Sequence, residues 1–480
     1  MGYRHGIYVP EVATSIVPPV QVSAGLPVVF GTAPVHLAAD PAGVNKPVLC
    51  YTYGEAVSQF GYHADWEKYT LCEFMKSHFS LFNMAPVVFI NVLDPTVHKK
   101  EANKAITLTN NVGTINSSEV IISSLTVKQG ETTLRPGVDY HAAYDNNGYV
   151  VISRINGGAI TAEAASITAS YNEIAPDMVT SGDIVGGIDS ATGKQEGLEL
   201  VDAVFPYFRL VPGLIVASGW SHDPTVAAVM TAKVNNINGI FKALALTDIP
   251  TSTVKKYTDV PNWKNQNNYT STRQVACWPK VKLGGDIYHL STQAAGVLCK
   301  TDSENNDVPY VSPSNHNLQA NGACLADGTE VYLDLQQANY LNGEGIVTAL
   351  NFIGGWKLWG NRTAAYPANT DPKDAFIPIR RMFDWHGNTF IQTYWQKVDA
   401  PTNRRLIDTV IDSENIRLNG FTAREYILGG RVEFLKEENP VTDLMDGIIR
   451  FHTYMTPPSP AREISNTLEY DISYLKTLFS

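Results

Sequence analysis

The chain has little that would let it act on nucleic acid, metal or membrane. It carries 36 Lys and Arg against 47 Asp and Glu, a net charge of −11. A nucleic-acid binder needs a basic footprint to displace counterions, and none is present. No stretch approaches about 18 consecutive apolar residues, the length that reads as a membrane span. The opening MGYRHGIYVPEV lacks the charged-then-apolar layout of a secretion signal, and Gly6 stands where a myristoylation signal has Ser or Thr. Cysteine is scarce: Cys50, Cys72, Cys277, Cys299 and Cys324 are scattered, odd in number and form no C-x-x-C pair. That spacing predicts buried free thiols, not a disulfide framework or a zinc site. The 11 histidines show neither H-E-x-x-H nor H-x-x-x-H spacing.

Catalytic signatures are missing as well. GIDSATGKQ (187–195) invites a phosphate-loop reading, but Ile188 stands where the pattern needs Gly and Gln195 replaces the magnesium-binding hydroxyl. A Gly-rich turn accounts for it better. Trp220-Ser221-His222-Asp223 gathers the residue types of a hydrolase triad, yet sequence neighbours cannot adopt triad geometry and no G-x-S-x-G elbow occurs. Asp223 followed by Pro224 reads instead as a helix cap and first helical residue. The Glu437-Glu438 pair reads as a solvated turn. No catalytic residue, metal or cofactor is expected.

What is present is an ordinary globular composition, 44% hydrophobic and 10% aromatic, in 480 residues, too many for one compact core. The pattern predicts α/β and α+β multidomain architecture. Residues 1–20 read as an extended arm: Pro10, Pro18 and Pro19 exclude a helix, while Ile7, Val9 and Val12 give β-branched apolar character. Residues 21–96 form the first part of an α/β core, with strands at 26–31 and 85–94 and a helix from Trp66 to about Phe82. Residues 97–176 change character to Thr, Val, Asn and Gly. Alternating strands at 120–127, 138–144, 149–155 and 166–172 predict an inserted small all-β domain of sandwich type. The α/β core resumes over 177–360, with a strand–helix–strand crossover at 212–248 and a polar loop at 257–275. Residues 361–460 form a C-terminal α+β domain. A helix there is expected to end at Gly420, a second to run from Thr422 to Gly429-Gly430, and strands to follow at 431–436 and 447–455. This segment holds 12 basic and 13 acidic residues, suited either to polar contacts with neighbours or to a solvated helical surface. Residues 461–480 form a second arm. Leu468, Tyr470, Ile472 and Tyr474 alternate with Glu469, Asp471 and Ser473, as in a half-buried strand. Both arms read as strands without a sheet.

WGNRTA (359–364), IPIRRMFDW (377–385), DAPTNRRLIDTVIDSENIRLNGF (399–421) and ENPVTDLMDGIIRFHTYMTPPSPAREI (438–464) resemble, in order and spacing, the C-terminal domain of the phage contractile tail sheath proteins. HGIYVPEV (5–12), VVFGTAP (28–34), GGIDSATGKQEGLELVD (186–202) and PGLIVASGWSHDP (212–224) resemble the same family's N-terminal core. The likeness covers nearly everything except 97–176, where the family carries outward-projecting insertions.

The resemblance implies a non-enzymatic subunit that stacks as hexameric rings around a tail tube. It implies contraction powered by a metastable extended lattice without ATP, and arms that add strands to neighbours' sheets. On this reading Ile7, Val9, Val12, Leu468, Tyr470, Ile472 and Tyr474 join subunits. Val432, Phe434, Ile449 and Phe451 form the acceptor sheet. Arg380 and Arg381, or Arg404 and Arg405, face the tube, unless they pair with the segment's own acids. The implied partners are further copies of the chain, the tail tube, baseplate and tail terminator proteins, with no nucleic-acid binding and no membrane insertion. The implied place is the tail of a phage-like particle assembled in the host cytoplasm. A phage-tail-like bacteriocin or injection system fits the same residues. A glycan-binding phage structural protein, with 97–176 as its binding module, is the reading from another class.

Overall fold

The computed structural model describes residues 23–160 and 165–479. The chain opens with strand β1 (Pro27–Gly31), β2 (Val48–Cys50), helix α1 (Tyr53–Phe60), α2 (Thr70–Met75) and β3 (Val87–Asn91). Seven strands follow: β4 (Lys99–Thr107), β5 (Val112–Ile115), β6 (Val120–Gln129), β7 (Thr132–Thr133), β8 (Tyr140–Tyr144), β9 (Val150–Arg154) and β10 (Ser166–Ile174). Then come α3 (Ser181–Val185), a short hairpin of β11 (Gly187–Ile188) and β12 (Gln195–Glu196), α4 (Val201–Phe208), β13 (Leu214–Val216), α5 (Pro224–Val234) and β14 (Leu244–Asp248). Next are α6 (Val260–Gln266), β15 (Gln274–Cys277), β16 (Lys280–Leu283), β17 (Asp286–Tyr288), α7 (Leu290–Glu304), β18 (Gly322–Cys324), α8 (Leu335–Gly343), β19 (Ile346–Asn351) and β20 (Trp356–Trp359). The last part holds α9 (Pro372–Ala375), α10 (Ile377–Tyr394), α11 (Arg404–Ala423), β21 (Gly429–Glu433), α12 (Val441–Met445) and β22 (His452–Thr456).

An eight-stranded sheet in the order β2-β3-β1-β13-β14-β15-β19-β20 organises the molecule. Its six inner strands are parallel, and β2 and β20 close the edges antiparallel. Strands β1, β3, β14 and β15 are buried along their whole length, as parallel strands covered on both faces must be. Successive residues feed opposite layers: Val28, Phe30, Ile90 and Ile215 enter one core, and Val29, Phe89, Leu214 and Leu246 the other. The first core continues without a break into the C-terminal elements through Met382, Trp385, Leu418, Phe421, Val432 and Met455. All five cysteines are buried and free.

Strands β4 to β10 form two facing sheets, β4-β10-β6-β7 and β5-β9-β8, around a separate core that includes Ile106, Ile115, Val127, Tyr140, Ile152 and Ile167. Strand β4 is not anticipated from the sequence. It is an edge strand, almost wholly exposed, and carries Lys99, Lys100 and Lys104, which protect an edge but hide its periodicity. The β8–β9 turn follows its turn residues: the Asp145 carboxylate accepts from Asn147 and Tyr149 N–H at 2.8 Å, and Gly148 takes φ +77°. Polar contacts join these strands to the main sheet's surroundings, such as His36 to Ser118 O at 2.7 Å and Lys68 to Glu119 at 2.7 Å.

Other expectations are corrected. The helix expected from Trp66 begins only at Thr70, because residues 66–68 are a turn. Thr32 Oγ1 pins that turn, donating to Lys68 O and accepting from Thr70 N–H. The second half, Lys76–Leu81, is π-helical. The polar stretch 257–275 contains α6, which buries Val260, Pro261 and Lys264 on one side. Helix α11 passes through Gly420 and ends at Ala423, so no second helix starts at Thr422. Glu425, at φ +61°, is the residue that turns the chain there.

Candidate functional site

The C-terminal elements build a surface from α10, α11 and the two-stranded sheet β21–β22. Helix α10 starts with Pro378 in its first turn, where a missing N–H costs nothing. It buries apolar and charged residues alike. The Arg380 guanidinium donates to Asp374 and Asp384, both at 2.9 Å, and Asp384 also accepts from Arg273 at 2.7 Å. Arg381 is 5% exposed; it donates to Asp302 at 2.9 and 2.5 Å and to Ala24 O at 3.1 Å. These charge-assisted bonds clamp α10 to α7, to the segment before β15 and to the start of the described chain. Arg380 and Arg381 are thus buried in the single chain. Burial with carboxylates of the same chain consumes their charge.

Arg404 and Arg405, by contrast, occupy the exposed first turn of α11. The Arg404 side chain is 93% exposed, with Asp408 at 3.4 Å. Asn403 caps the helix by accepting from Leu406 N–H at 2.9 Å. Two cations at a helix N-terminus oppose the macrodipole, at about 0.3–1 kcal/mol each. Among the described residues no other carboxylate than Asp408 pairs with them.

Helix α11 lies against β21. The Asn415 side chain donates to Val432 O at 3.1 Å and accepts from Val432 N–H at 2.9 Å, so one edge of the sheet is covered. Strand β22 pairs with β21 alone among the described residues, and its other edge is open. Between α10 and α11, Arg417 donates to His386 at 2.9 Å and pairs with Glu414 at 2.7 Å. Burial, with Arg417 adding to it, pushes His386 down to about 3, so this imidazole is neutral. Of the expected acceptor residues, only Val432 lies in a strand. Phe434 falls just past β21, and Ile449 and Phe451 precede β22. The strands sit elsewhere because the Asn439 side chain, bonded to Leu435 O, Arg450 O and Arg450 N–H, holds both chains in a closed loop there.

The chain leaves β22 through Pro457, Pro458 and Pro460 and continues without regular structure to residue 471, followed by a 3-10 helix at Ile472–Phe479. The strand expected over 468–474 is thus absent from the isolated chain. Its apolar side chains lie largely in solvent: Leu468 is 87% exposed, Tyr470 74%, Ile472 70% and Tyr474 72%. Ile7, Val9 and Val12 lie outside the described residues.

The two motifs weighed for chemistry have structural roles. In the 186–197 hairpin, Asp189 accepts from Ala191 and Thr192 N–H, and Lys194 pairs with Glu196 at 2.8 Å. Asp223 caps α5, accepting from Thr225 N–H at 2.8 Å and from Ser181 Oγ at 2.6 Å. Among the described residues no group of three or more His, Cys, Asp or Glu could hold a metal ion, and no helix is long and apolar enough to cross a membrane.

No family model matches the chain. It is 28% identical over 495 residues to the tail sheath protein of Burkholderia phage BcepMu, covering 99% of this chain and 98% of that protein. Its fold is similar to a chain of the anti-feeding prophage baseplate, with a TM-score of 0.57 at 14% identity, covering 98% of this chain and 100% of that one. It is similar also to a chain of the contracted sheath complex of the extracellular contractile injection system PVC, with a TM-score of 0.56 at 12% identity over 99% of each. The chain shares a mixed α/β fold of several sheets with these structures, and it carries an open sheet edge and an exposed apolar arm. The comparisons bear out the resemblance to the phage contractile tail sheath proteins that the sequence carries.

Proposed function

We propose that this subunit polymerises as hexameric rings stacked around a tail tube and contracts to drive that tube through a cell envelope. The observation that carries the reading is the C-terminal arm. It presents Leu468, Tyr470, Ile472 and Tyr474 to solvent in strict alternation, and the same chain carries an open β22 edge. A strand from another copy laid on that edge gains ladder hydrogen bonds worth about 0.5–1.5 kcal/mol each. It also removes apolar area from water at about 25 cal/mol per Å². Those gains offset the roughly 1–2 kcal/mol per residue needed to order the arm. The N-terminal arm, with Ile7, Val9 and Val12, is assigned the same part.

Contraction then exchanges one set of lateral contacts for another while the arms keep the lattice connected. The work comes from a metastable extended lattice and not from ATP, and the subunit is structural, not catalytic. Arg404 and Arg405 are assigned to the tube, since their charge is unspent within the chain and sits where a helix disfavours it. The inserted β sandwich of 97–176 is assigned to the outside of the sheath. Tail tube, baseplate and terminator proteins are the partners, and assembly takes place in the host cytoplasm. Phage tail, bacteriocin and injection system share this mechanism.

Truncation after Pro460 tests the reading. The expected product is a folded monomer, because among the described residues no buried core residue lies beyond that point. Normal tubes of the truncated chain by electron microscopy would refute strand exchange by the C-terminal arm.

A further inference from the structure

A second feature lies beyond the C-terminal ends of β13, β14 and β15. There the chain leaves a cleft of about 240 Å³. The sheet's connections reverse direction here: β1 leads on to β3 on one side, while β13 lies on its other side. Open parallel sheets leave a crevice at such a point, and ligands bind in it. Trp66, Trp220, Pro250 and Ile287 supply apolar walls.

The carboxylates deep in this cleft have their oxygens engaged, and its bases do not have all their nitrogens engaged. Glu73 is buried, and both its oxygens are taken by His289, which donates its backbone N–H and bonds through Nδ1, each at 2.7 Å. His289 holds the Glu73 carboxyl below its ordinary range against a still larger opposing effect of burial. Asp248 is saturated too, accepting from Ser291 N–H at 3.0 Å, Ser291 Oγ at 2.5 Å and Ser221 Oγ at 3.3 Å. Three basic side chains are left with free nitrogens in the same space. Lys280 has no carboxylate within 4.0 Å among the described residues, and neither the His222 ring nor His289 Nε2 has a hydrogen-bond partner there. The three are close together. Burial first, then His289, and more weakly Lys280, lower the pKa of His222. Glu67 stands exposed at the rim.

We propose that this cleft binds a carboxylate on a short apolar body, with Lys280 Nζ on the carboxylate, His289 and His222 beside it, and Trp66 and Trp220 against the body. An ammonium with no carboxylate in contact in a half-buried site is where a carboxylate gains most, because water screens it least there. The carboxylate comes either from a free small molecule or from an acidic side chain of a second copy. The latter source rests on the assembly reading above.

The test uses the full chain kept as monomer at constant ionic strength. It is titrated with 3-methylbutanoate and, as blank, chloride, and followed by tryptophan fluorescence and thermal unfolding. The expected result is saturable binding in the low-millimolar range with a rise in Tm. Lys280→Met is expected to weaken binding roughly tenfold. Lys282→Met on the same strand, whose lysine pairs with Glu330 at 2.6 Å outside the cleft, leaves it unchanged. Absence of saturable binding to the parent chain, or equal binding by parent and K280M, overturns the proposal. Should K280M fail to fold by circular dichroism, His222→Asn takes its place with the same criterion. Sheath formation separates the sources. If K280M binds poorly but still forms tubes, the ligand is a free carboxylate. If it forms none, and 3-methylbutanoate inhibits tube formation by the parent, the carboxylate belongs to a neighbour.

Discussion

Replacing Arg381 with Met removes the one cation that faces Asp302 while keeping the hydrocarbon stem of the side chain. Asp302 is 3% exposed and Arg381 5%, and the two are joined by bonds of 2.9 and 2.5 Å. Breaking such a pair from one side strands a buried charge and costs about 3–5 kcal/mol. Unfolding entropy of about 2.1 cal/mol/K per residue makes that loss worth roughly 3–5 °C in Tm, if all 480 residues melt together. The pH dependence identifies the cause. Burial already raises the Asp302 carboxyl above its ordinary range, with Arg381 opposing the rise. Without Arg381 the folded-state pKa climbs further above that of the unfolded chain, so the folded state binds the extra proton. Relative to the parent, R381M is therefore least stable near neutral pH. It recovers as pH falls through the raised folded value, and the recovery is complete below the unfolded value near 3.9. Urea unfolding of monomer at pH 7 and pH 5 measures both effects. The double variant Asp302→Leu/Arg381→Met should regain most of the loss at either pH. A loss in R381M no larger than that of Arg404→Ala, about 0–1 kcal/mol for an exposed residue, would refute the buried-clamp account. So would a loss independent of pH.

Asn415→Leu removes both hydrogen bonds that cover Val432, and at about 1–3 kcal/mol for each group left unsatisfied, urea unfolding should show a loss of roughly 2–6 kcal/mol. Gly186→Ala should destabilise by more than 1 kcal/mol in the same assay, because a Cβ there would lie 1.9 Å from Glu196 O on a backbone at φ +66°. Charge reversal in R404E/R405E should leave the monomer's Tm within about 1–2 °C of the parent while weakening co-sedimentation with tube protein. The parent's own co-sedimentation should weaken toward 1 M salt, where the Debye length is about 3 Å. Unchanged co-sedimentation of the double variant would remove these arginines from the tube contact.

Much of the central sheet is legible in the sequence because its signals are local. PVVFG and VVFIN are continuous apolar runs of strand length, and both are fully buried parallel strands. Asp223-Pro224 states the start of α5 in two residues, and the structure shows both the cap bond and the proline in the first turn. Strands β8 and β9 are announced by Asp145 to Gly148, a turn whose hydrogen bonds close within four residues. The arm's alternation at 468–474 is equally plain, though the isolated chain holds no strand there: periodicity states which face would be buried, not who supplies the partner.

The remaining features were decided by tertiary structure. Helix α6 lies in a polar, Asn-rich stretch because Val260 and the neighbouring Tyr269 find one apolar cluster with Trp278 and Leu341, a partnership no local window contains. Gly420 resembles a helix stop but sits inside α11, whose packing onto β21 carries the helix past a weak propensity cost of about 1 kcal/mol. The arginines make the point most sharply. The sequence shows four of them in two adjacent pairs, alike in type and in a segment of balanced charge. One pair is buried and one exposed, because Asp302 lies 79 residues from Arg381 and the Ala24 carbonyl 357 residues from it. Residue type and spacing determined the elements of this protein, since hydrogen bonds and caps act over a few residues. Which charges are spent inside the chain and which remain for a partner depended on contacts that exist only once the chain has closed.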